Sequence, residues 1–360
     1  MKTPTILLFK MTFVLIHNII FAQTPANDLH WQLKWQDNFS SFNSTKWIKV
    51  HNCDHGGEPQ LFLEENVWVS NGNLVIEVNN IPKNCPLDGT YPISSWCCGK
   101  CQEGKHNYTT GWVETKDAFR TQYGYIEARM KLPFIRKNSK SWGIPIAFWT
   151  WRSDQPSSNV AEIDIFEMFS GEYKAPNTLN TCIHTCYDPG CDKGMGRSHT
   201  YSNFDYRDWH TYAIEWNANR IIWYLDGKAI RTLSNHGIVD PIRIIMGLGI
   251  DKKHLPPTSP TFHEYMYVDY VKVYCLQCDK NTVVNEISNF SNYNYAVKKS
   301  ISLSNATAIP ANSNITLRAT DFIELKAGFE VQTGRELYLD VTPCEPCIPI
   351  AQEIPRGGGE

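Results

Sequence analysis

A chain of 360 residues, 42% hydrophobic and 20% charged, is long enough for a sizeable core with a second, smaller unit beside it. Its net charge of −3 offers no basic excess for gripping nucleic acid, and it speaks against strongly sulfated glycans, which call for basic clefts. No run of about 20 apolar residues follows the N-terminal segment, so no membrane span is expected in the mature chain.

In chain order, Lys2 and Lys10 precede an apolar stretch over residues 11–22, the pattern of a signal peptide cleaved near Ala22. The mature protein is then expected to be secreted or periplasmic, and a monomer. All twelve cysteines follow that point, in local clusters: Cys97, Cys98 and Cys101; Cys182, Cys186 and Cys191; Cys275 and Cys278; Cys344 and Cys347, with Cys53 and Cys85 apart. An even count behind a signal peptide favours disulfides, with the clusters near Cys97 and Cys186 stapling loops on a cleft rim. The two Cys-x-x-Cys pairs also have zinc-site spacing.

Residues 73–78 alternate faces, with Leu74, Ile76 and Val78 on one and Asn73, Val75 and Glu77 on the other. So do residues 125–132, where Ile126, Ala128, Met130 and Leu132 form one face and Tyr125, Glu127, Arg129 and Lys131 the other. That period of two predicts half-buried strands. Asp226-Gly227 between apolar runs predicts a hairpin. No long stretch has helical periodicity. Many short strands separated by turn signals predict an all-β sandwich.

The six residues 162–167, EIDIFE, place three carboxylates in a run that otherwise reads as a buried strand. Buried acids are costly unless paired or used. Side chains alternate along a strand, so Glu162 and Asp164 share a face and Glu167 points away unless a β-bulge adds one residue. With that bulge the two Glu backbones lie roughly 13 Å apart. Leaning side chains then bring their carboxyls to about 5 Å, the spacing of a retaining glycosidase. By itself the hexapeptide fits equally a surface strand with scattered acids or an acidic metal cluster.

Past residue 280 the composition shifts. Residues 279–299 read as a polar linker and 300–347 as a small β-rich module of short strands. Residues 348–360 read as a disordered tail. The module carries no acid pair and is expected to pack independently of the cleft, as a spacer more readily than as a sugar-binding unit.

Around the acids the chain resembles glycoside hydrolase family 16, which includes laminarinases, lichenases and the agar and carrageenan hydrolases. Glu162, Asp164 and Glu167 match that family's bulged Glu-x-Asp-x-x-Glu signature. WQDNFSSFNSTKW (35–47), YGYIEARMKLP (123–133), AFWTW (147–151), WHTYAIEW (209–216), IIWYLDGKAIR (221–231) and YVDYVKVY (267–274) follow in the family's order. The resemblance implies a jelly-roll sandwich with a concave cleft over residues 23–278. The module after it is similar to the stacked-strand units that follow catalytic domains in Bacteroidetes secreted proteins.

The resemblance also implies roles. Glu162 is the nucleophile and Glu167 the general acid and base. Asp164 is expected to hydrogen-bond Glu162 and to hold the Glu167 pKa up by like-charge repulsion. Trp142, Trp149 and Trp151, just upstream of the acids, are the candidate sugar platforms, and Trp216 and Trp223 are assigned to the core. His184 is a candidate partner of Asp164 or of substrate. No cofactor is needed for catalysis. Asp269, with the Gly72 carbonyl, marks the place of a structural calcium.

There are departures from the family pattern. Asp37-Asn38-Phe39 replaces Asp-Glu-Phe. The segment from Ile144 to Trp149 lacks a Trp of the usual Trp-Pro-Ala-Phe-Trp. GLGIDKK (247–253) lacks a glycine pair found in many β-1,3-glucanases. The expected activity is that of a retaining endo-β-glycanase acting on β-1,3- or mixed β-1,3-1,4-glucan. The alternatives are an agar or carrageenan hydrolase, a transglycosylase and a non-catalytic glycan-binding lectin.

Overall fold

The structure is a computed structural model that describes residues 31–51, 58–84, 105–115, 119–133, 146–151, 161–168, 178–185, 195–202, 204–250, 255–256, 258–276, 279–284, 298–304, 309, 314–331, 333, 336–341 and 348–350. The expected signal peptide lies outside them. Among the described residues no helix is long and apolar enough to cross a membrane.

Two β-sheets face each other. The smaller, seven-stranded sheet runs in the order Arg197–Thr200, Thr178–His184, Glu162–Met168, Ile146–Trp151, Arg243–Leu248, Trp112–Thr115, Trp47–Lys49. The larger, ten-stranded sheet is built around Gly124–Lys131, which pairs with His210–Trp216 on one side and His263–Leu276 on the other. Both sheets mix hairpin neighbours with crossovers between strands distant in the chain, as a jelly roll requires. Between the sheets is one apolar core that includes Ile126, Ala128 and Met130 from the larger sheet and Ile163, Phe166 and Phe148 from the smaller. The alternation in residues 125–132 therefore reads correctly for the inner face. The Asp226-Gly227 hairpin is also present, both residues having positive φ (50° and 73°).

The outer face of the larger sheet departs from expectation. Tyr125 and Glu127 are as buried as their inward neighbours. Trp31, Tyr125, Ala213, Ile222, Tyr224 and Tyr274 form a second apolar cluster there. The C-terminal residues reach this side. Arg318 pairs with Glu215, both almost fully buried. Arg220 lies 3.6 Å from Asp340 and its guanidinium sits 5.7 Å from the Tyr338 ring centre.

The C-terminal unit is a parallel four-stranded sheet, Asp279–Val284, Lys298–Leu303, Asn314–Leu325 and Glu336–Val341, over a small core of Ile301, Leu303, Ile309 and Leu317. Two boundaries change accordingly. Asp279–Val284, expected within the linker, is the edge strand of this sheet. Ile348–Ile350, expected in a disordered tail, pairs antiparallel with Arg120–Gln122 of the main body. The unit does not stand apart on a tether, because its ion pairs reach the larger sheet and the strand that follows it pairs with Arg120–Gln122.

Removing one partner of a buried ion pair leaves an uncompensated charge, which costs about 3–5 kcal/mol. Arg318→Ala should therefore lower the melting temperature by several degrees, read by circular dichroism. A melt identical to wild type would mean that the unit contributes nothing to the body.

Candidate active site

The acid strand, Glu162–Met168, is bulged where the sequence predicts it. Against its outer neighbour, Asp164 lies opposite Cys182 and Glu167 opposite Asn180, so three steps on one strand match two on the other. Against its inner neighbour, Asp164 pairs with Trp149 and Phe166 with Phe148, which leaves Ile165 as the extra residue. Adjacent Ile165 and Phe166 both enter the core, which an unbroken alternation forbids. Glu162, Asp164 and Glu167 thus share the concave face. His184 and Trp151 flank Glu162, Cys182 and Trp149 flank Asp164, and Asn180 and Ala147 flank Glu167.

A bulge disrupts the ladder, and buried backbone groups need partners. Trp223, fully buried on the opposite sheet, donates its indole N–H to the Asp164 carbonyl oxygen at 2.9 Å. The Arg231 guanidinium lies 4.8 Å from the Trp223 ring centre. Arg231 also donates to the backbone carbonyls of Thr181 (2.8 Å) and Met195 (2.7 Å). Trp223, assigned from sequence to core packing alone, also clamps the bulge. The signal was its place in IIWYLDG, but nothing local announces a partner 59 residues away.

Burial sets the electrostatics. Glu162 and Asp164 are buried and Glu167 is half-buried. Burial pushes Glu167 up to about 7, and the nearby His184 charge pulls against that. Asp164 is held well above the usual carboxylate range, first by burial and then by the charge of Glu167, while its hydrogen bond with Glu162 pulls it down. The expected cause is thus partly replaced: desolvation, not Asp164, is what first raises Glu167. The His184 Nε2 lies 3.4 Å from Asp164 Oδ2.

Trp149 is mostly buried and Trp151 half-buried, at right-angle-like contacts in the series Trp112, Trp149, Trp151 (5.6 and 5.9 Å between centroids). They lie on the acids' face, with Trp151 the more open of the two. Trp142 lies outside the described residues. Three features of this face were missed from sequence. Trp112 continues the aromatic wall and packs edge-on to Phe62. Arg243, opposite Trp151, pairs with Glu114 at 3.2 Å, both buried. Cys182, expected in a rim staple, is a free buried thiol beside the acids, pushed up to about 12 by burial and then by the acids' charges. Its strand position points it at the cleft floor, not the rim. Cys186 and Cys191 lie outside the described residues. Cys275 is disulfide-bonded.

The calcium expectation does not fit. Asp269 Oδ2 is 2.7 Å from an Arg129 guanidinium nitrogen, which already supplies the positive charge a cation would bring. Gly72 serves the Val67–Ser70 to Asn73–Asn79 hairpin, with φ +73°.

The family model that describes glycosyl hydrolases family 16 matches residues 62–249, just over half of the chain. An endo-1,3-1,4-β-glycanase of Rhizobium meliloti is 30% identical over 48% of this chain and 35% of its own length. The chain spans little more than a third of the length of the first curated relatives it matches. The catalytic domain of an endo-1,3-β-glucanase (laminarinase) from Thermotoga petrophila is 26% identical, with a TM-score of 0.54 over 68% of this chain and 97% of that one. An endo-β-1,3-glucanase from Pyrococcus furiosus is also 26% identical, with a TM-score of 0.55 over 68% and 94%.

Trp223→Phe keeps the ring and removes the donor. It should lower kcat ~10-fold or more through misplaced acids, with KM nearly unchanged. Trp216 makes a comparable buried indole bond, to Ile238 O at 3.2 Å. Trp216→Phe should cost similar stability yet leave kcat intact, and equal kcat losses in the two would refute the clamp.

The proton-donor form of Glu167 is lost as pH rises through about 7, so the basic limb of kcat/KM should fall there. His184→Asn removes an influence that lowers the Glu167 pKa, so that limb should move to higher pH. A limb that stays put or moves down would contradict the assignment.

Proposed function

Since the chain belongs to glycosyl hydrolases family 16, we propose that it is a retaining endo-β-glucanase that cleaves β-1,3- or mixed β-1,3-1,4-glucan outside the cytoplasm, as a monomer. The observation that carries this reading is the bulged strand that sets Glu162 and Glu167 on one face with Glu167 raised to about 7. A lectin has no use for that pair, and a proton donor at neutral pH needs it.

In the first step, the Glu162 carboxylate attacks the anomeric carbon while Glu167 gives its proton to the departing glycosidic oxygen. The C–O bond to the leaving sugar breaks and an ester to Glu162 forms. In the second step, ionised Glu167 takes a proton from water, the water oxygen attacks the same carbon, and Glu162 leaves as carboxylate. The Asp164 hydrogen bond keeps Glu162 aimed between turnovers. Trp151 offers an apolar face beside Glu162 for a sugar ring, backed by Trp149 and Trp112.

The glucan preference is supported by the named activities of the relatives at 26–30% identity. A κ-carrageenase of Pseudoalteromonas carrageenovora shares the fold at 23% identity, which is a likeness of fold alone. The net charge of −3 also disfavours a sulfated chain. The export reading rests on the basic and apolar N-terminal segment.

Purified protein should release short oligosaccharides from laminarin or lichenan and none from agarose or carrageenan. Glu162→Gln should lose several orders of magnitude in kcat with the fold intact. Near-wild-type turnover by this variant, or products from the galactans alone, would overturn the reading.

A further inference from the structure

Three ligand atoms of different kinds converge on the floor of the cleft. Cys182 Sγ, His184 Nε2 and a carboxylate oxygen of Asp164 all lie within 4.8 Å of one another. Cys182 and His184 are two apart on one strand and so project from the same face, and Asp164 meets them from the neighbouring strand. Ligands at ~2.0–2.1 Å from a tetrahedral zinc are separated by ~3.3–3.4 Å. The Asp164 Oδ2 to His184 Nε2 distance is 3.4 Å, already an edge of that tetrahedron. Asp164, 1% exposed, has its Oδ2 buried without a hydrogen bond. His184 Nε2 faces it at 3.4 Å, too far for a good hydrogen bond, and a divalent cation between the two would satisfy both.

The surroundings favour a cation. Glu162 flanks Asp164 on the same face and adds negative potential. The Arg231 guanidinium is turned to backbone carbonyls and the Trp223 ring. Sulfur, imidazole and carboxylate together select a thiophilic divalent ion over calcium or magnesium.

We propose that Asp164, Cys182 and His184 form a binding site for Zn²⁺ or a similar thiophilic divalent cation, and that its occupation shuts down the cleft. On binding, the S–H bond of Cys182 and the O–H bond of Asp164 break, both protons leave to solvent, and metal–sulfur and metal–oxygen bonds form. The ion holds the Asp164 oxygen and takes His184 away from the acids. The fourth position stays open to water. Binding disables the bond-cleaving pair by removing the partner that aims Glu162. The inhibition rests on the glucanase reading above, but the binding does not.

The test uses tag-free full-length protein with Co²⁺ alone as a spectroscopic probe and Zn²⁺ as the inhibitor. Co²⁺ should produce a thiolate-to-metal charge-transfer band in wild type that is absent in Cys182→Ser. Zn²⁺ should inhibit glucan hydrolysis, with full recovery on chelation, and its midpoint should rise ~10-fold or more in Cys182→Ser. A wild type that gives no such band, or a Cys182→Ser protein with the same band, overturns the site whatever the variant's activity. An unchanged Zn²⁺ midpoint in an active Cys182→Ser overturns the shutdown. If wild type cleaves no glucan at all, the glucanase reading fails while the cobalt band still decides the site.

Discussion

The hydrogen bond from the Trp223 indole to the Asp164 carbonyl joins the two sheets at the point where the acid strand breaks its alternation. Without the extra residue at Ile165, Glu167 would face the core and the chain would have one carboxylate pair on the concave side and a buried acid behind it. The bulge turns a strand that packs into a strand that reacts. It also frees a backbone carbonyl, and the larger sheet supplies the donor. Arg231 stacked behind Trp223 fastens the same indole and the neighbouring strand together. The face that carries the three acids is therefore positioned by the larger sheet through the core and not by its own sheet alone.

Burial then converts placement into chemistry. Three acids on one face would all ionise in water. Here desolvation raises Glu167 and Asp164, and the hydrogen bond between Glu162 and Asp164 lets one proton serve both. The acid that keeps its proton, Glu167, is the one that must give it. The aromatic series from Trp112 to Trp151 and the buried Arg243–Glu114 pair close the rest of the face. On the opposite side of the molecule, the C-terminal unit meets the larger sheet at the buried Arg318–Glu215 pair.

Much of this was legible from local pattern. Period-two alternation gave the inner face of residues 125–132, and the mismatch between that period and the spacing of Asp164 and Glu167 required the bulge. What local pattern could not show depends on partners distant in sequence. On the outer face of residues 125–132, Tyr125 is buried by Trp31, Tyr224 and Tyr274, which come from distant parts of the chain. Cys182 looked like part of a cysteine cluster because spacing counts neighbours in the chain, whereas its strand position sets it beside the acids. Asp269 looked like a cation ligand until Arg129, 140 residues away, was found at its carboxylate.

The division of labour between Glu162 and Glu167 is the centre of the account, and azide rescue of Glu167→Ala tests it most directly. With an activated aryl β-glucoside the first step needs no proton donor, so the ester to Glu162 still forms, and azide then replaces the water that Glu167 would have activated. The account predicts restored turnover with a β-glycosyl azide as product. An α-glycosyl azide, or no rescue in a folded variant that still forms the ester, would contradict it.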